Sequence, residues 1–292
     1  MTDKTPKASD APIAPPETPK VHDRGTLTYS GTFESPFRRG IIQAIEWCTG
    51  KIQIIRMLRK YERLPKVHGT KIWRVGLDVM GIDLLTPQHQ LDRIPKTGPV
   101  VVVANHPHGM VDGMVMAELI GRVRPDYRIL VRAFLTDIDE EAGQFLIPVP
   151  FPHEKDAQAK MVEMRRQAMA YLSEGGVIAL FPSGVVASSN SMFGPMVEDE
   201  WNLFTAKMIR KSGARVVPLF FPGANSRWYQ MANRISATLR QSLLIHEIVS
   251  ACGKPQKPII GEAFDEAALQ QRLQNPRECM AWLREQTLSL KD

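Results

Sequence analysis

Two histidines and an aspartate lie close together between Asn105 and Gly113, in the sequence Asn-His-Pro-His-Gly-Met-Val-Asp-Gly. His106 closely follows a run of four valines, and Asp112 stands six positions further on. A neutral imidazole can take a proton from an alcohol while a carboxylate holds its other ring nitrogen and stabilises the imidazolium that forms. The spacing therefore favours general-base catalysis, in which the alcohol attacks an acyl group directly and no serine or cysteine need be acylated.

Three other interpretations of the same residues stay open. His108 is an alternative partner for Asp112, in which case one of the two histidines has only a structural part. All three side chains could instead bind a metal ion, but no further pair of ligands at suitable spacing accompanies them in the sequence. Asp112 could also cap a helix that begins close to it.

The elements that must position these residues alternate between strand and helix patterns. Strands are predicted over residues 99–104, 127–132, 177–181, 216–221 and 258–261. Helices are predicted over residues 113–122, 155–174, 227–251 and 265–289. Such alternation predicts an α/β fold with a mostly parallel central sheet and helices on both faces. Ligands bind beyond the carboxyl ends of strands in these sheets, where His106 is expected to lie.

A basic helical segment precedes the predicted sheet. Residues 38–74 carry ten basic residues against two acidic ones, an excess larger than the net charge of +6 of the whole chain. Ile41, Ile45, Ile52 and Ile55 recur there at helical spacing, with Trp47 among them. A basic amphipathic helix with aromatic residues is typical of a helix that lies in a membrane interface. Alternatively, the apolar face of the helix packs on the domain and its charged side chains are solvated. Both interpretations hold if one face of the helix contacts the membrane and another packs on the domain.

We divide the chain into a disordered tail (1–27), a basic amphipathic membrane-associating helical segment (28–69) and an α/β domain (70–292). Three cysteines without a CxxC pair argue against a disulfide framework and indicate a reducing compartment. The chain shows neither an N-terminal signal pattern nor a window of about 18 apolar residues. We therefore expect a peripheral protein at the cytoplasmic face of the inner membrane, with anionic lipid as a partner.

Three blocks of sequence, taken together, resemble the signature of the glycerolipid acyltransferase superfamily, typified by bacterial lysophosphatidate acyltransferases. The first is Asn-His followed by Asp; the family normally has four residues between His and Asp, and here five intervene. The form Asn-His-Pro-x-Gly-x-x-Asp-Gly is similar to a branch that includes lyso-ornithine-lipid acyltransferases and proteins described as haemolysins. Residues 181–184 are similar to the family's Phe-Pro-Glu-Gly block, and residues 217–227 to its final Val-Pro block. The resemblance covers residues 70–262, with the blocks in family order.

The resemblance implies O-acyl transfer from acyl-CoA or acyl carrier protein to the hydroxyl of a lysolipid. His106 is then the general base and Asp112 its orienting partner, and no metal or organic cofactor is implied beyond the thioester donor. Arg132 and Arg227 are candidates for contacts with anions, because a guanidinium matches the geometry of phosphate; the alternative for each is a surface ion pair. The predicted substrate-binding residues are Asn105, Gly109, Gly113, Arg132, Ser183, Gly184 and Arg227. The resemblance also implies that Gly109 and Gly113 are positions where the backbone needs the conformational freedom of glycine.

Ser183 is the main departure from the family pattern, because it stands where the family has a glutamate that helps to position a glycerophosphate acceptor. This change weakens the case for a phosphomonoester acceptor. Ser183 and Gly184 could instead offer a hydroxyl and backbone donors to a lipid head group, or could simply form a strand-to-loop turn.

Two classes of protein rival the enzyme interpretation. The replacement at Ser183 suits a non-catalytic membrane-binding protein that kept the fold, and the His-Pro-His triplet suits a metal-dependent hydrolase. A nucleic-acid partner is not expected, because the chain lacks a basic motif interleaved with aromatic residues.

Overall fold

The computed structural model describes residues 36–132, 139–151, 154, 156–189, 194–235 and 243–291. The predicted disordered tail, residues 1–27, lies outside them. The helices are α1 (Pro36–Glu46), α2 (Ile52–Glu62), α3 (Lys71–Met80), α4 (Gln88–Leu91), α5 (Met110–Gly121), α6 (Glu140–Gly143), α7 (Ala157–Ser173), α8 (Leu203–Ser212), α9 (Arg227–Ile235), α10 (Leu244–Ala251), α11 (Glu266–Arg272) and α12 (Pro276–Leu288). The strands are β1 (Val100–Ala104), β2 (Tyr127–Arg132), β3 (Leu146–Val149), β4 (Val177–Leu180), β5 (Ser188–Ser189), β6 (Met196–Val197), β7 (Arg215–Phe220) and β8 (Ile259–Ile260).

Six of the described strands form one sheet in the order β3-β2-β4-β1-β7-β8. All neighbouring pairs are parallel except β7 and β8, which are antiparallel. The predicted α/β class with a mostly parallel sheet is confirmed. β1 lies between β4 and β7 and is buried along its whole length, which explains its continuous run of β-branched residues.

The side chains of β1 alternate between two hydrophobic clusters on opposite faces of the sheet. Val100 and Val102 belong to a cluster that includes residues of α3, α5 and α10. Val101 and Val103 belong to a second cluster, which includes residues of α7, α8, α11 and α12. Helices therefore cover both faces, and the carboxyl end of β1 is held at the centre of one edge.

The segment predicted as a basic amphipathic helix, residues 28–69, is described from residue 36 onward and contains α1 and α2. Gly50 lies in a π-helical turn between them, with a φ of 143° that favours glycine. A Cβ on Gly50 would lie 2.8 Å from the side chain of Val249 on α10. The kink at Gly50 thus lets the segment fold closely onto the domain.

One face of this segment packs on the domain. Met57 and Tyr61 of α2 contact the cluster that contains α3 and α10, and Ile42 of α1 is fully buried. Glu46 and Lys51 are also buried, with 3.7 Å between their charged groups. The packing alternative weighed for this segment therefore holds for one face.

Another face of the same segment is exposed. Phe37 is 77% and Trp47 is 52% exposed. In the predicted apolar stripe, Ile41 and Ile52 are exposed, whereas residues 45 and 55 are half-buried. No helix in the described ranges combines the length and apolar character that crossing a bilayer requires.

Three predicted helices have different limits in the structure. α5 begins at Met110 rather than at residue 113. The helix predicted over 265–289 is divided into α11 and α12, because Asn275 caps the start of α12 and Pro276 occupies its first position. The range predicted as one helix, 227–251, contains α9 and α10, with residues 236–242 outside the described part.

Candidate active site

The side chain of Asn105 joins the ends of β1 and β7. Its Nδ2 donates to the carbonyl oxygen of Phe221 at 2.9 Å, and its Oδ1 accepts the backbone N–H of Phe221 at 2.7 Å. The residue is buried, so backbone groups engage both polar atoms. These bonds fix the strand end that carries His106. A contact between Asn105 and substrate stays a prediction.

Asp112 lies in the first turn of α5 and is almost fully buried. Its Oδ2 accepts the backbone N–H groups of His108 at 2.8 Å and Gly109 at 3.2 Å, which caps the helix. The same oxygen lies 3.1 Å from Nδ1 of His106, and Oδ1 lies 3.0 Å from Nδ1 of His108. Asp112 is thus both the helix cap and the partner of the imidazoles.

The pKa of Asp112 reflects two opposing effects. Burial by itself would raise the pKa, but the hydrogen bonds and charges of His106 and His108 outweigh it and hold the pKa below its usual value. The carboxylate is therefore ionised at neutral pH, as an orienting partner for an imidazolium must be.

His106 is held on several sides at the carboxyl end of β1. Its ring stacks on Phe181, with 3.8 Å between centroids and 20° between planes. Its carbonyl oxygen accepts the backbone N–H of Ala187 at 2.8 Å. Because Nδ1 faces the carboxylate of Asp112, Nδ1 carries the hydrogen of the neutral ring and Nε2 keeps a free lone pair. Within the described part of the chain, no hydrogen bond occupies that Nε2.

His108 makes the same kind of contact with the other oxygen of Asp112. Burial acts to lower the pKa of His108, but the hydrogen bond and charge of Asp112, together with the charge of Glu247, raise it. Its Nε2 lies against Gly223, where a Cβ would come within 2.9 Å of it. Gly223 therefore lies within a few ångströms of the nitrogen that would have to reach a substrate, which favours His106 as the base.

Glu198 is a second buried carboxylate at the site. No functional role was predicted for it from the sequence. Its Oε2 accepts the backbone N–H of His106 at 3.1 Å, and its Oε1 accepts the indole N–H of Trp201 at 3.1 Å. Burial raises the pKa of Glu198, although the hydrogen bonds from His106 and Trp201 oppose the shift. The only signal in the sequence is that Glu198 is the first carboxylate after the block at 181–184.

The two glycines predicted as permissive positions differ. Gly109 has a φ of 80°, and a Cβ there would approach Val186 to 3.5 Å. Gly109 therefore confirms the expected need for glycine in the backbone. Gly113 is the fourth residue of α5, and a Cβ there would meet no atom within 4 Å. The prediction that Gly113 serves an unusual backbone conformation is wrong, because the helix begins before it.

Ser183 and Gly184 lie in the turn after β4. The hydroxyl of Ser183 donates to the carbonyl oxygen of Val185 at 3.0 Å. Gly184 has a φ of 69°, and its N–H donates to the carbonyl oxygen of Phe181 at 2.9 Å. The expected backbone donor at Gly184 is therefore used inside the turn, whereas a contact between Ser183 and substrate stays a prediction.

Arg132, the last residue of β2, forms a hydrogen bond to this turn. Its Nη2 donates to the carbonyl oxygen of Gly184 at 2.9 Å, and its guanidinium lies 4.9 Å from the ring centre of Phe151. Burial lowers the pKa of Arg132. These contacts place the predicted anion contact at the edge of the site, and its role toward substrate stays a prediction.

Arg227 is exposed and is the first residue of α9, where a helix is predicted to begin. Ser226 caps this helix, since its Oγ accepts the N–H of Tyr229 at 3.2 Å. The carboxylate of Glu247 accepts both the N–H and the hydroxyl of Ser226, at 2.8 and 2.5 Å. Arg227 lies beside a cavity of about 170 Å³.

This arrangement suits proton transfer at the carboxyl end of β1. A fixed imidazole with one nitrogen bound to a buried carboxylate can take a proton on the other nitrogen. Among the described residues, no three His, Cys, Asp or Glu side chains are grouped so that they could hold a metal ion.

Comparison with known proteins gives three similarities. A sequence model of the family described as Acyltransferase matches residues 48–292. The lyso-glycine lipid O-acyltransferase of Phocaeicola vulgatus is 29% identical over 168 residues, which are 55% of this chain and 57% of that protein. The chain thus spans little more than half the length of that relative. The crystal structure of the 1-acyl-sn-glycerophosphate acyltransferase PlsC from Thermotoga maritima superposes with a TM-score of 0.45 and 14% identity, over 87% of this chain and 97% of that one.

Proposed function

The chain belongs to the acyltransferase family, and from this premise we propose that it transfers a fatty acyl group from a thioester to the hydroxyl of a lysolipid. The family match confirms the resemblance drawn from the three sequence blocks. One observation carries the proposal: the imidazole of His106 is bound through Nδ1 to the buried carboxylate of Asp112, 3.1 Å away.

In the proposed reaction, Nε2 of His106 takes the proton of the acceptor hydroxyl while the oxygen attacks the thioester carbonyl. The tetrahedral intermediate then collapses, the carbon–sulfur bond breaks, and the imidazolium gives its proton to the departing thiolate. The products are an ester and a free thiol. Asp112 stabilises the imidazolium between these two transfers, so no acyl-enzyme is needed.

The donor in this proposal is acyl-CoA or acyl carrier protein, and the residues supply all the acid–base chemistry without a further cofactor. The acceptor is a lysolipid. The relative from Phocaeicola vulgatus is named for a lyso-glycine lipid, which supports an acceptor with an amino-acid head group. Ser183 in place of the family glutamate agrees with such a change of acceptor.

We also propose that the exposed face of α1 and α2 lies on anionic lipid at the cytoplasmic face of the inner membrane. Phe37, Trp47 and Ile52 offer exposed apolar area, and the basic side chains Arg56, Arg59, Lys60 and Arg63 are exposed beside them. Apolar side chains that enter the interface below a basic rim are characteristic of such helices.

The experiment that tests the function is acyl transfer by the purified protein. Two radiolabelled donors, acyl-CoA and acylated acyl carrier protein, are supplied in separate assays. The acceptors are lysolipids with glycine, ornithine or phosphate head groups in anionic vesicles. We expect label in a diacyl product and an equal amount of free thiol. Tight vesicle binding without transfer from either donor would favour the non-catalytic membrane-binding alternative instead.

A further inference from the structure

A small cavity opens where α9 begins. It has a volume of about 170 Å³ and is lined by Gly194, Met196, Ala224, Asn225, Arg227 and Gln230. Its polar side chains are two amides and a guanidinium, and none of the carboxylates in the described ranges lines it. The positive end of α9, a helix of nine residues, begins at the same place.

Two of these side chains are buried with hydrogen-bond donors unused. Asn225 is 6% and Gln230 is 7% exposed. Within the described structure, Nδ2 of Asn225 and Nε2 of Gln230 have no hydrogen-bond partner. A buried donor without an acceptor costs free energy comparable to a lost hydrogen bond. Both amides line the cavity, so a ligand there would supply the missing acceptors.

The orientation of the Gln230 amide is fixed by a neighbour. Its Oε1 accepts the backbone N–H of Ser189 at 2.6 Å. Because a backbone N–H can only donate, the oxygen must face Ser189, and the buried NH₂ group is left without an acceptor in the described structure. The unused donor is therefore a consequence of the contact and does not depend on how the amide is drawn.

The guanidinium of Arg227 completes a set of donors. No ion pair joins Arg227 to an acidic side chain among the described residues. The carboxylate nearest the start of α9, Glu247, is already bonded to Ser226. A guanidinium and two amide NH₂ groups together match an oxyanion with several acceptor oxygens.

The cavity belongs to the same edge of the sheet as the catalytic pair. Gly223, two positions before Asn225, lies against the ring of His108. Ser189, which holds Gln230, is two positions after Ala187, whose N–H donates to the carbonyl of His106 at 2.8 Å. Asn225, Arg227 and Gln230 thus follow the carboxyl end of β7, which is parallel to β1, the strand whose end carries His106.

The volume of the cavity distinguishes the acceptor's head group from the larger thioester donor. The volume is below the roughly 300–1,000 Å³ of pockets that enclose drug-sized ligands. It has room for a carboxylate or a phosphate with the atoms next to it, but not for the nucleotide of a thioester donor. Resting on the acyl transfer proposed above, we propose that Asn225, Arg227 and Gln230 bind the anionic head group of the lysolipid acceptor.

The test compares short-chain lysolipids that share one acyl chain and differ only in head group: glycine carboxylate, phosphate monoester and the neutral glycine methylamide. Binding to the full chain is measured by isothermal titration calorimetry. We expect at least one of the two anionic probes to bind about tenfold or more tightly than the neutral one, whichever oxyanion it carries. Acetate and inorganic phosphate serve as free-ion probes.

Two variants probe the pocket in different ways. Gln230→Glu keeps an oxygen for Ser189 but replaces the donor with a second carboxylate oxygen, and Arg227→Gln removes an exposed charge with little risk to folding. Each should reduce the preference for the anionic probe by about tenfold and leave binding of the neutral probe unchanged. Arg277→Gln is the matched control, an exposed arginine in the first turn of α12, and should behave as wild type.

Equal affinities of wild type for charged and neutral probes, or unchanged preference in both variants, would overturn the assignment. Free ions that bind as tightly as the lysolipids would also overturn it, since the pocket would then be a general anion site. Acyl transfer at the wild-type KM in Gln230→Glu and Arg227→Gln would overturn the pocket and leave the proposed function standing. Head-group preference without any acyl transfer by wild type would overturn the function and support the pocket.

Discussion

The carboxylate of Glu198 accepts the backbone N–H of His106 at 3.1 Å, although the two residues are 92 positions apart. The other carboxylate oxygen accepts the indole N–H of Trp201, and the guanidinium of Arg284 donates to the backbone carbonyl of Glu198. Glu198 thus holds the main chain of His106 in place while Asp112 orients its ring. Glu198 bonds to the backbone of His106 and Asp112 to its side chain, so two buried carboxylates position the proposed general base.

The first prediction concerns this contact. Glu198→Ala should lower kcat by roughly tenfold to a hundredfold with a smaller change in KM, because small displacements of a catalytic group cost rate. Glu198→Gln keeps one acceptor oxygen and should retain more activity than Glu198→Ala. The measurement is steady-state acyl transfer with both variants. If Glu198→Ala loses stability but keeps the wild-type kcat, the contact serves folding alone.

The second prediction contrasts the two glycines of the first block. Gly109→Ala should destabilise the fold by about 1–2 kcal/mol, because an alanine is strained at a φ of 80°. Gly113→Ala should instead raise the free energy of unfolding by about 0.5–1 kcal/mol, since it lies in a helix with open space around it. Urea unfolding of the two variants checks both signs. A loss of stability in Gly113→Ala would contradict the helical assignment of this position.

Some features of the fold and of the site could be predicted from the sequence alone. The strands β1, β4 and β7 could be predicted because continuous apolar runs mark strands that are buried on both faces. The pairing of His106 with Asp112 could be predicted because both lie in one short local segment. Gly113 was misassigned because a glycine does not by itself indicate a positive φ.

Other features depend on contacts between distant parts of the chain. Glu198 meets His106 only after the loop following β4 folds back, and no local pattern indicates that. The strand β3 contains Pro148 and was not predicted as a strand; it lies at the edge of the sheet, where a proline is tolerated. The break between α11 and α12 was missed, although Asn275 and Pro276 are a recognisable helix start.

The third prediction concerns pH. The pKa of His108 lies above its ordinary value of 6.5 in the folded protein, so the folded state binds this proton more tightly than the unfolded state. The stabilisation is complete below about pH 6.5 and is lost as the pH rises through the raised pKa. Wild type should therefore lose more unfolding free energy than His108→Gln between about pH 6 and pH 8.

Urea midpoints at a series of pH values measure this difference. His89→Gln, which removes an exposed histidine from α4, is the matched control. Parallel curves for wild type and His108→Gln would show that the hydrogen bond to Asp112 does not hold a proton on His108.

The fourth prediction tests the membrane surface. Each basic residue near an anionic bilayer contributes about 1 kcal/mol, so four contribute about 4 kcal/mol before screening. Changing Arg56, Arg59, Lys60 and Arg63 to Gln should weaken binding to anionic vesicles by roughly a thousandfold at low salt, and the effect should shrink as salt is raised. Vesicle sedimentation measures the binding.

The control for this variant removes the same charge from α8 and the start of β7. The exposed residues Lys207, Arg210, Lys211 and Arg215 are changed to Gln together. This control should bind vesicles as wild type does, and activity of the α2 variant on a short-chain soluble acceptor should survive. If both variants lose vesicle binding equally, net charge alone accounts for the effect and the α2 surface has no special role.

The central claim is that His106, oriented by Asp112, is the general base for acyl transfer, and single-turnover transfer by His106→Ala and His108→Ala tests it most directly. Removing a general base typically costs about 10²–10⁴ in rate. We predict that His106→Ala lowers the rate constant by at least about a hundredfold with an unchanged circular dichroism spectrum, and that His108→Ala loses much less. Near-normal transfer by His106→Ala together with a large loss in His108→Ala would contradict the assignment.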